Sequence, residues 1–337
     1  MNRSDTDQRP WWVQFAFLYV PLGFFFGWYA PVYLRRYHAG GAQGAAVYAC
    51  LMMLLALSLA PGFPAFRCLL RGRVQGLQGS AYAVLLFLAP YLVYCAGTGD
   101  FRWPALARLF GLSALPCVLF TVVPARKPGG LNWQDTAVLL GLILPLLFGK
   151  LTGIWNVPVN LDFMARLYLL GVGSWSFLIF RGVEGSGYEF RFSPANLRDL
   201  CGSFLGVAAI ALLLGFSLGF IAWNPQWRGF GALLFDYATI FLFVALLEEL
   251  LFRGILQNLL EGSLHSRYAA QALAAVLFGM SHIRHAPFPN WRYVALASVA
   301  GWFYGSAYRA NRSLMASAAT HALVDTLWRT WFTLPRF

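Results

Sequence analysis

Charged residues are scarce in this chain of 337 residues. They make up 11% of the sequence, and only 13 residues are acidic, whereas 59% are hydrophobic and 17% are aromatic. Soluble globular domains carry about 25% charged residues, so the composition excludes the ordinary soluble class. The mean hydropathy is also positive. These values are typical of an integral membrane protein.

Lysine is nearly absent, with only Lys127 and Lys150 in the whole chain. The net charge of +12 therefore rests on arginine. Most arginines lie in short connections between apolar segments, where positive charge sets membrane topology and meets anionic lipid. The basic excess thus predicts contact with membrane lipids and no nucleic-acid partner.

Cysteine is also sparse, and no C-x-x-C pair occurs. We interpret the five cysteines as small buried hydrophobic residues rather than as a disulfide framework or a metal cluster. They are Cys50, Cys68, Cys95, Cys117 and Cys201.

Apolar segments of about the length that crosses a bilayer recur along the chain. They lie near residues 11–34, 44–66, 79–98, 103–124, 134–155, 163–180, 201–223, 233–260, 269–283, 292–308 and 313–332. The first lacks a small-x-small cleavage site and is too long for a signal-peptide core. Because several are short or contain proline, the predicted fold is an all-α polytopic transmembrane bundle of about eight to eleven spans.

One long polar stretch, residues 181–199, divides the chain. It predicts an N-terminal transmembrane bundle at 1–180, a polar connecting loop at 181–199 and a C-terminal transmembrane core at 200–337. Positive residues in alternate loops place the N-terminus in the cytoplasm by the positive-inside rule. These residues are Arg3, Arg9, Arg67, Arg71, Arg73, Arg126, Lys127, Arg181, Arg191 and Arg198.

The middle of the apolar run 235–260 contains three charged residues, Glu248, Glu249 and Arg253. Such groups cost several kcal/mol in lipid unless they are paired or line a polar cavity. Glu249 and Arg253 are four residues apart on one helical face, which predicts an intrahelical ion pair. Glu248 is rotated by about 100° from its neighbour. We therefore expect one structural carboxylate and one that is available for chemistry.

Two further apolar segments each carry polar residues at helical spacing. Phe278 lies one turn before His282, and His321 lies one turn before Asp325. A single intramembrane histidine often only forms a hydrogen bond to another helix, but here complementary groups occur in separate spans. Glu248 and His282 reach the same depth only if the second helix ends inside the membrane. We interpret the remaining polar candidates as interfacial: His38, Asp236, His265, Arg284 and His285.

Three motifs in this order and spacing resemble those of the CAAX-protease and bacteriocin-processing family of intramembrane proteases, also called the Abi family. The resemblance spans roughly residues 195 to 335. That family includes the endopeptidase that trims prenylated proteins. The matching residues are Glu248-Glu249-x-x-x-Arg253, Phe278-x-x-x-His282 and His321-x-x-x-Asp325.

The resemblance implies an intramembrane endopeptidase that hydrolyses a peptide bond near the membrane-anchored or lipidated end of a substrate protein. Glu248 would be the general base, and His282 would help to bind and activate the water. His321 and Asp325 would polarise the scissile carbonyl or stabilise its oxyanion, while the pair formed by Glu249 would hold the helix. We expect a multi-pass protein of the bacterial inner membrane, in which the segment 1–180 is accessory.

Two alternatives stay open at the level of sequence. Glu248, His282 and His321 could be three ligands of a zinc site, although the chain has no H-E-x-x-H helix. We prefer a glutamic mechanism without a cofactor. The chain could instead be a non-enzymatic immunity or transport protein, but a transporter of this kind should show paired halves, and the sequence has no internal repeat.

Overall fold

Twelve helices form the fold in the part of the chain that the computed structural model describes, residues 10–37, 40–74, 76–122 and 129–333. They are α1 (Trp11–Arg35), α2 (Gly41–Leu59), α3 (Pro64–Arg71), α4 (Gly76–Thr98), α5 (Trp103–Val122), α6 (Trp133–Leu147), α7 (Phe163–Phe180), α8 (Pro194–Ser217), α9 (Phe230–Leu264), α10 (Arg267–Met280), α11 (Trp291–Asn311) and α12 (Leu314–Trp331). Two short antiparallel strands, β1 (Ala222–Trp223) and β2 (Phe332–Thr333), pair with each other. The predicted all-α class is confirmed.

Seven helices of the described chain are long and apolar enough to cross a membrane, namely α1, α2, α4, α5, α7, α8 and α9. The chain is therefore a multi-pass integral membrane protein. Each predicted apolar segment contains a helix, but α6 has only 15 residues and α10 only 14. The predicted number of spans, about eight to eleven, stays a prediction. The predicted membrane orientation also stays a prediction, because four of the positive residues on which it depends lie outside the described residues, namely Arg3, Arg9, Arg126 and Lys127.

Two compact units divide the chain. The first comprises the described residues of 1–124 and 149–182, and the second those of 125–148 and 183–337. Helix α6 thus belongs to the second unit, although it lies within the predicted N-terminal segment 1–180. One contact that places it there is the hydrogen bond from the Leu131 backbone N–H to Ser263 Oγ, at 2.9 Å.

The first unit contains α1 to α5 and α7, and α2 packs between α4 and α7. Its core is aromatic. Tyr91, Tyr94, Trp155 and Tyr168 are fully buried, and the Tyr94 hydroxyl accepts a hydrogen bond from the Val157 N–H at 2.8 Å. An accessory role for this unit stays a prediction.

The second unit contains α6 and α8 to α12. Helix α11 packs against α8, α10 and α12, and α12 also contacts α8 and α9. Side-chain N-caps begin four of these helices, because a Ser or Asn oxygen accepts a bond from an otherwise unpaired N–H. Ser193 caps α8, Ser266 caps α10, Asn290 caps α11 and Ser313 caps α12. The caps of α10 and α12 fix where two helices that carry polar motif residues start.

The polar segment after α7 is irregular up to Ser193, and α8 begins at Pro194. Residues 194–199, which the sequence assigns to the connecting loop, therefore form the first turns of a helix. The irregular part is anchored rather than solvated. Tyr188 is fully buried, and the carbonyl oxygens of Gly185 and Gly187 accept bonds from the Tyr308 hydroxyl at 2.6 Å and the Leu314 N–H at 3.1 Å.

Only three of the cysteines are buried, namely Cys50, Cys95 and Cys117, and all five are free thiols. The prediction of burial is wrong for Cys68 and Cys201, which are exposed. Cys68 lies in α3, a short helix that has no buried residue. Cys201 lies on an exposed part of α8, near its beginning.

Gly187 offers a test of the anchored segment. Its φ is +67°, and a Cβ there would lie 2.1 Å from the Arg312 carbonyl oxygen, whereas Gly185 has a similar φ of +69° with its nearest atom at 3.5 Å. Gly185→Ala should cost about 1–2 kcal/mol through left-handed backbone alone. Gly187→Ala should lower the thermal unfolding midpoint of the purified protein further, because backbone must also move. Equal midpoints for the two variants would contradict the packing described.

Candidate active site

The paired glutamates lie at the centre of α9 between two π-helical stretches. Residues Phe241–Ala245 and Leu250–Gln257 are π-helical, and the α-helical turn Leu246–Glu249 separates them. Isolated π turns inside α-helices are frequent at functional sites, since they widen the helix and redirect its side chains. The local geometry thus sets this turn apart from the rest of the span.

Glu249 is fully buried and holds a network of donors. Its Oε1 lies 2.9 Å from Arg253 Nη1 and 2.8 Å from His321 Nδ1. Its Oε2 accepts a bond from Ser317 Oγ at 2.5 Å. The predicted ion pair between Glu249 and Arg253 is confirmed. A serine and a histidine from α12 also form hydrogen bonds to Glu249.

Arg253 is fully buried as well. Its Nη2 donates to the Gly301 carbonyl oxygen at 3.0 Å, and its guanidinium carbon lies 4.4 Å from the centre of the Phe278 ring. A Cβ at Gly301 would lie only 3.0 Å from Nη2, so glycine lets α11 approach the arginine. Arg253 therefore ties α9 to α10 and α11.

Glu248 differs from its neighbour because its side chain is 18% exposed, and its Oε2 lies 3.9 Å from His321 Nε2. Asp325 approaches the same nitrogen, with Oδ2 at 3.5 Å, and its side chain is 40% exposed. His321 thus lies among three carboxylates. Glu249 binds one ring nitrogen, and Glu248 and Asp325 face the other from the more accessible side.

Aromatic rings fix the plane of His321. The Tyr304 ring stacks on it at 4.6 Å with an angle of 14° between the planes, and Phe278 contacts it edge-on at 5.7 Å. A carboxylate only accepts hydrogen bonds, so the bond to Glu249 places a proton on Nδ1. Nε2 is therefore the nitrogen of His321 that is directed towards Glu248 and Asp325.

His282 lies in the turn after α10, which ends at Met280. Its Nδ1 lies 2.9 Å from the Phe278 carbonyl oxygen. Since a carbonyl can only accept, Nδ1 carries the proton, and Nε2 of the neutral ring has a lone pair available. The Phe278 ring contacts both His282, at 4.9 Å, and His321, at 5.7 Å. Phe278 therefore joins the two histidines that the sequence singled out.

A zinc site was the alternative use of Glu248, His282 and His321. Among the described residues, no group of three or more His, Cys, Asp or Glu side chains has an arrangement that could hold a metal ion. The present positions of these side chains do not fit a three-ligand zinc site, and we derive no step through a metal.

The other polar candidates lie at the edges of the second unit. Asp236 pairs with Arg228, Arg284 lies 4.6 Å from the centre of the Phe148 ring, and His265 is exposed after α9. His285 is exposed but stacks on His282 at 5.7 Å. His38 lies outside the described residues.

The sequence reasoning missed Ser317, Tyr304 and Tyr293. Ser317 lies four residues before His321, so the same helical face was a usable signal. Tyr293 and Tyr304 are eleven residues apart, which is about three helical turns, and this spacing indicates a shared face of α11. Neither tyrosine belongs to a motif with obvious chemistry.

The adjacent glutamates form a matched pair for testing the buried network. Glu249→Ala or Arg253→Ala removes one partner of a buried ion pair, which costs about 3–5 kcal/mol, and should lower the thermal unfolding midpoint and the yield. Glu248→Ala removes a carboxylate that is partly exposed and should keep the midpoint near that of the unmodified protein. The measurement is thermal unfolding of the purified protein in detergent, and a similar loss for all three variants would refute this division.

Comparison with known proteins agrees with the site. Residues 230–327 match the family model described as type II CAAX prenyl endopeptidase Rce1-like, and this range contains all seven residues of the three motifs. No curated protein and no solved structure matches the chain. The matched family is one of proteases, which indicates a hydrolase. The resemblance to the CAAX-protease family is therefore confirmed over residues 230–327.

Proposed function

We propose that the protein is an intramembrane endopeptidase that hydrolyses a peptide bond with a water activated by Glu248. The observation that carries this proposal is the unequal environment of two adjacent glutamates. Glu249 is fully buried and holds Arg253, Ser317 and His321, whereas Glu248 remains partly exposed beside His321. Glu249 therefore holds the buried network, and Glu248 is the more accessible carboxylate of the two.

Glu248 suits the role of general base because its carboxylate can take up a proton from water and is the more accessible of the two adjacent carboxylates. Its partial exposure also gives a water molecule access. Glu249 next to it cannot take this role without breaking its bonds to Arg253 and His321.

His282 supports the water in this proposal. Its Nδ1 proton is committed to the Phe278 carbonyl oxygen, so Nε2 of the neutral ring accepts a hydrogen bond from the water. The water then has two acceptors, Glu248 and His282. Two acceptors orient its oxygen lone pair towards the substrate carbonyl, which is the positioning that general-base catalysis requires.

His321 and Asp325 act on the carbonyl oxygen of the substrate in this proposal. Nε2 of His321 lies 3.9 Å from Glu248 and 3.5 Å from Asp325. Carboxylates and an unprotonated ring nitrogen are all hydrogen-bond acceptors. The three groups therefore form a stable arrangement only when one of them carries a proton. A protonated Nε2 donates to an oxyanion that forms nearby. Asp325 holds that proton in place.

The reaction then proceeds in two steps. The water oxygen bonds to the carbonyl carbon, one water proton moves to Glu248, and the carbonyl electrons move to the oxygen, where His321 donates. The tetrahedral intermediate collapses as the carbon–nitrogen bond breaks and Glu248 returns its proton to the leaving amine. Carboxyl and amine products result, and the carboxylate is regenerated.

The substrate class follows from the surroundings of the site. The chain has several helices that can cross a membrane, and the matched family acts on prenylated proteins by its description. We propose that the substrate is a membrane-anchored or lipidated protein or peptide, cut near its anchor. We place the protein in a bacterial inner membrane with its N-terminus in the cytoplasm.

Glu248→Gln should abolish hydrolysis, because an amide cannot take up the water proton. The assay is cleavage of a fluorescent lipid-anchored peptide by purified protein in liposomes, with thermal unfolding measured in parallel. We expect a loss of at least about 10³-fold in turnover, towards the upper end of what removal of a catalytic base costs, with an unchanged unfolding midpoint. His282→Ala and His321→Ala should be nearly as inactive.

Arg309→Gln is a matched control for these variants, because it removes a charge in the same unit at a side chain that lies over the Tyr268 ring and outside the site. This control should cleave at the rate of the unmodified protein. Cleavage by Glu248→Gln near that rate would refute the assignment of Glu248 as the base. Absence of cleavage of any anchored peptide by the unmodified protein would refute the proposed function itself.

Metal dependence is the sharpest test of the mechanism. A catalytic zinc ion needs about three protein ligands and one open position, whereas in the proposed mechanism a glutamate and a histidine activate the water without a metal. We expect less than one zinc per chain by elemental analysis and full activity after prolonged chelation. If activity falls on chelation and returns with added zinc alone, Glu248, His282 and His321 must be reassigned as ligands.

A further inference from the structure

Tyr293 lies in the first turn of α11 and contacts the histidines of the site. Its ring centre is 4.9 Å from that of His282 and 4.7 Å from that of His285. On the other side it contacts Phe220 at 5.3 Å. The side chain is partly buried, and its ring is held by these neighbours.

Asn290 fixes Tyr293 relative to His282. Its side-chain oxygen accepts a bond from the Tyr293 backbone N–H at 3.0 Å. Its backbone N–H donates to the Ile283 carbonyl oxygen at 3.0 Å, and its side-chain nitrogen donates to the Ala286 carbonyl oxygen at 3.2 Å. One buried side chain thus binds both the turn that contains His282 and the start of α11.

Tyr293 lies within electrostatic range of two carboxylates of the site, Asp325 and Glu248. A phenolic hydroxyl is protonated at neutral pH and can donate one hydrogen bond. Tyr293 therefore brings a donor to the place where Glu248 and His282 bring acceptors.

Tyr304 lies on the same face of α11 but contacts a different histidine. Its ring stacks on His321, whereas the ring of Tyr293 contacts His282. The position of Tyr304 explains how the plane of His321 is set. Tyr293 is the tyrosine of α11 whose ring contacts His282 and His285.

We propose that the Tyr293 hydroxyl donates a hydrogen bond to the substrate carbonyl oxygen as that oxygen becomes the oxyanion. This inference rests on the proposed function. When the water adds and its proton moves to Glu248, negative charge develops on the carbonyl oxygen, which then has two donors, Tyr293 and His321 Nε2. The hydroxyl keeps its proton throughout, so the atoms and charges of the reaction balance as before.

The test is the steady-state kinetics of Tyr293→Phe, which keeps the ring against His282 and removes only the hydroxyl. Loss of one oxyanion donor lowers kcat by about 10²–10³-fold, and we expect KM and the thermal unfolding midpoint to stay unchanged. Tyr268→Phe is the matched control, since Tyr268 is exposed in the same unit. It should have the kcat of the unmodified protein.

A tetrahedral probe separates an oxyanion donor from a structural residue. A lipid-anchored peptide aldehyde, whose hydrate resembles the intermediate, should bind Tyr293→Phe about 10-fold or more weaker than it binds the unmodified protein, by loss of one hydrogen bond to charge. The corresponding uncleavable peptide alcohol, which lacks a tetrahedral diol, should bind both alike.

The outcomes separate this inference from the proposed function. If Glu248→Gln is inactive while Tyr293→Phe keeps the kcat and aldehyde affinity of the unmodified protein, the role of Tyr293 is overturned and the proposed function stands. Equal loss of aldehyde and alcohol binding by Tyr293→Phe also overturns it, because the hydroxyl then acts on binding in general. An unmodified protein without any peptidase activity overturns both.

Discussion

The buried carboxylate of Glu249 is the constraint on which the catalytic unit depends. It accepts bonds from Arg253 on its own helix and from Ser317 and His321 on α12, while Arg253 reaches the Gly301 carbonyl on α11. In an apolar interior every one of these polar groups needs a partner. Three helices are therefore held in one arrangement, because separating any of them leaves a buried charge exposed to lipid.

This constraint also explains why two identical residues in succession can have different roles. Adjacent helix positions differ by about 100° in direction, so only one of the two glutamates can face Arg253. The other then points to the more accessible side of α9, towards His321 and Asp325. The buried pair holds the helix while its neighbour remains able to exchange a proton, and the chemistry does not compete with the packing.

Much of this site could be predicted from residue spacing, because helical periodicity is local. The ion pair, the facing positions of His321 and Asp325 and the helix in each apolar segment all follow from intervals within one element. What the sequence could not provide is the pairing between elements. The bond from His321 to Glu249, the ring contacts of Tyr293 and the packing of α6 in the second unit depend on tertiary contacts. The π turns of α9 have no signal in residue spacing.

The third carboxylate of the site, Asp325, is accommodated by the charge balance of the proposed reaction. With Arg253 and His321 protonated and the three acidic groups ionised, the site carries a net charge of −1. When Glu248 takes the proton of the water, its charge disappears and an equal charge arises on the substrate oxygen, so the total stays at −1. Moving a charge over a short distance costs far less in low dielectric than creating one. Asp325 therefore imposes no additional cost on the addition step while His321 keeps its proton. The carboxylate of Asp325, 3.5 Å from Nε2, favours the protonated form of His321.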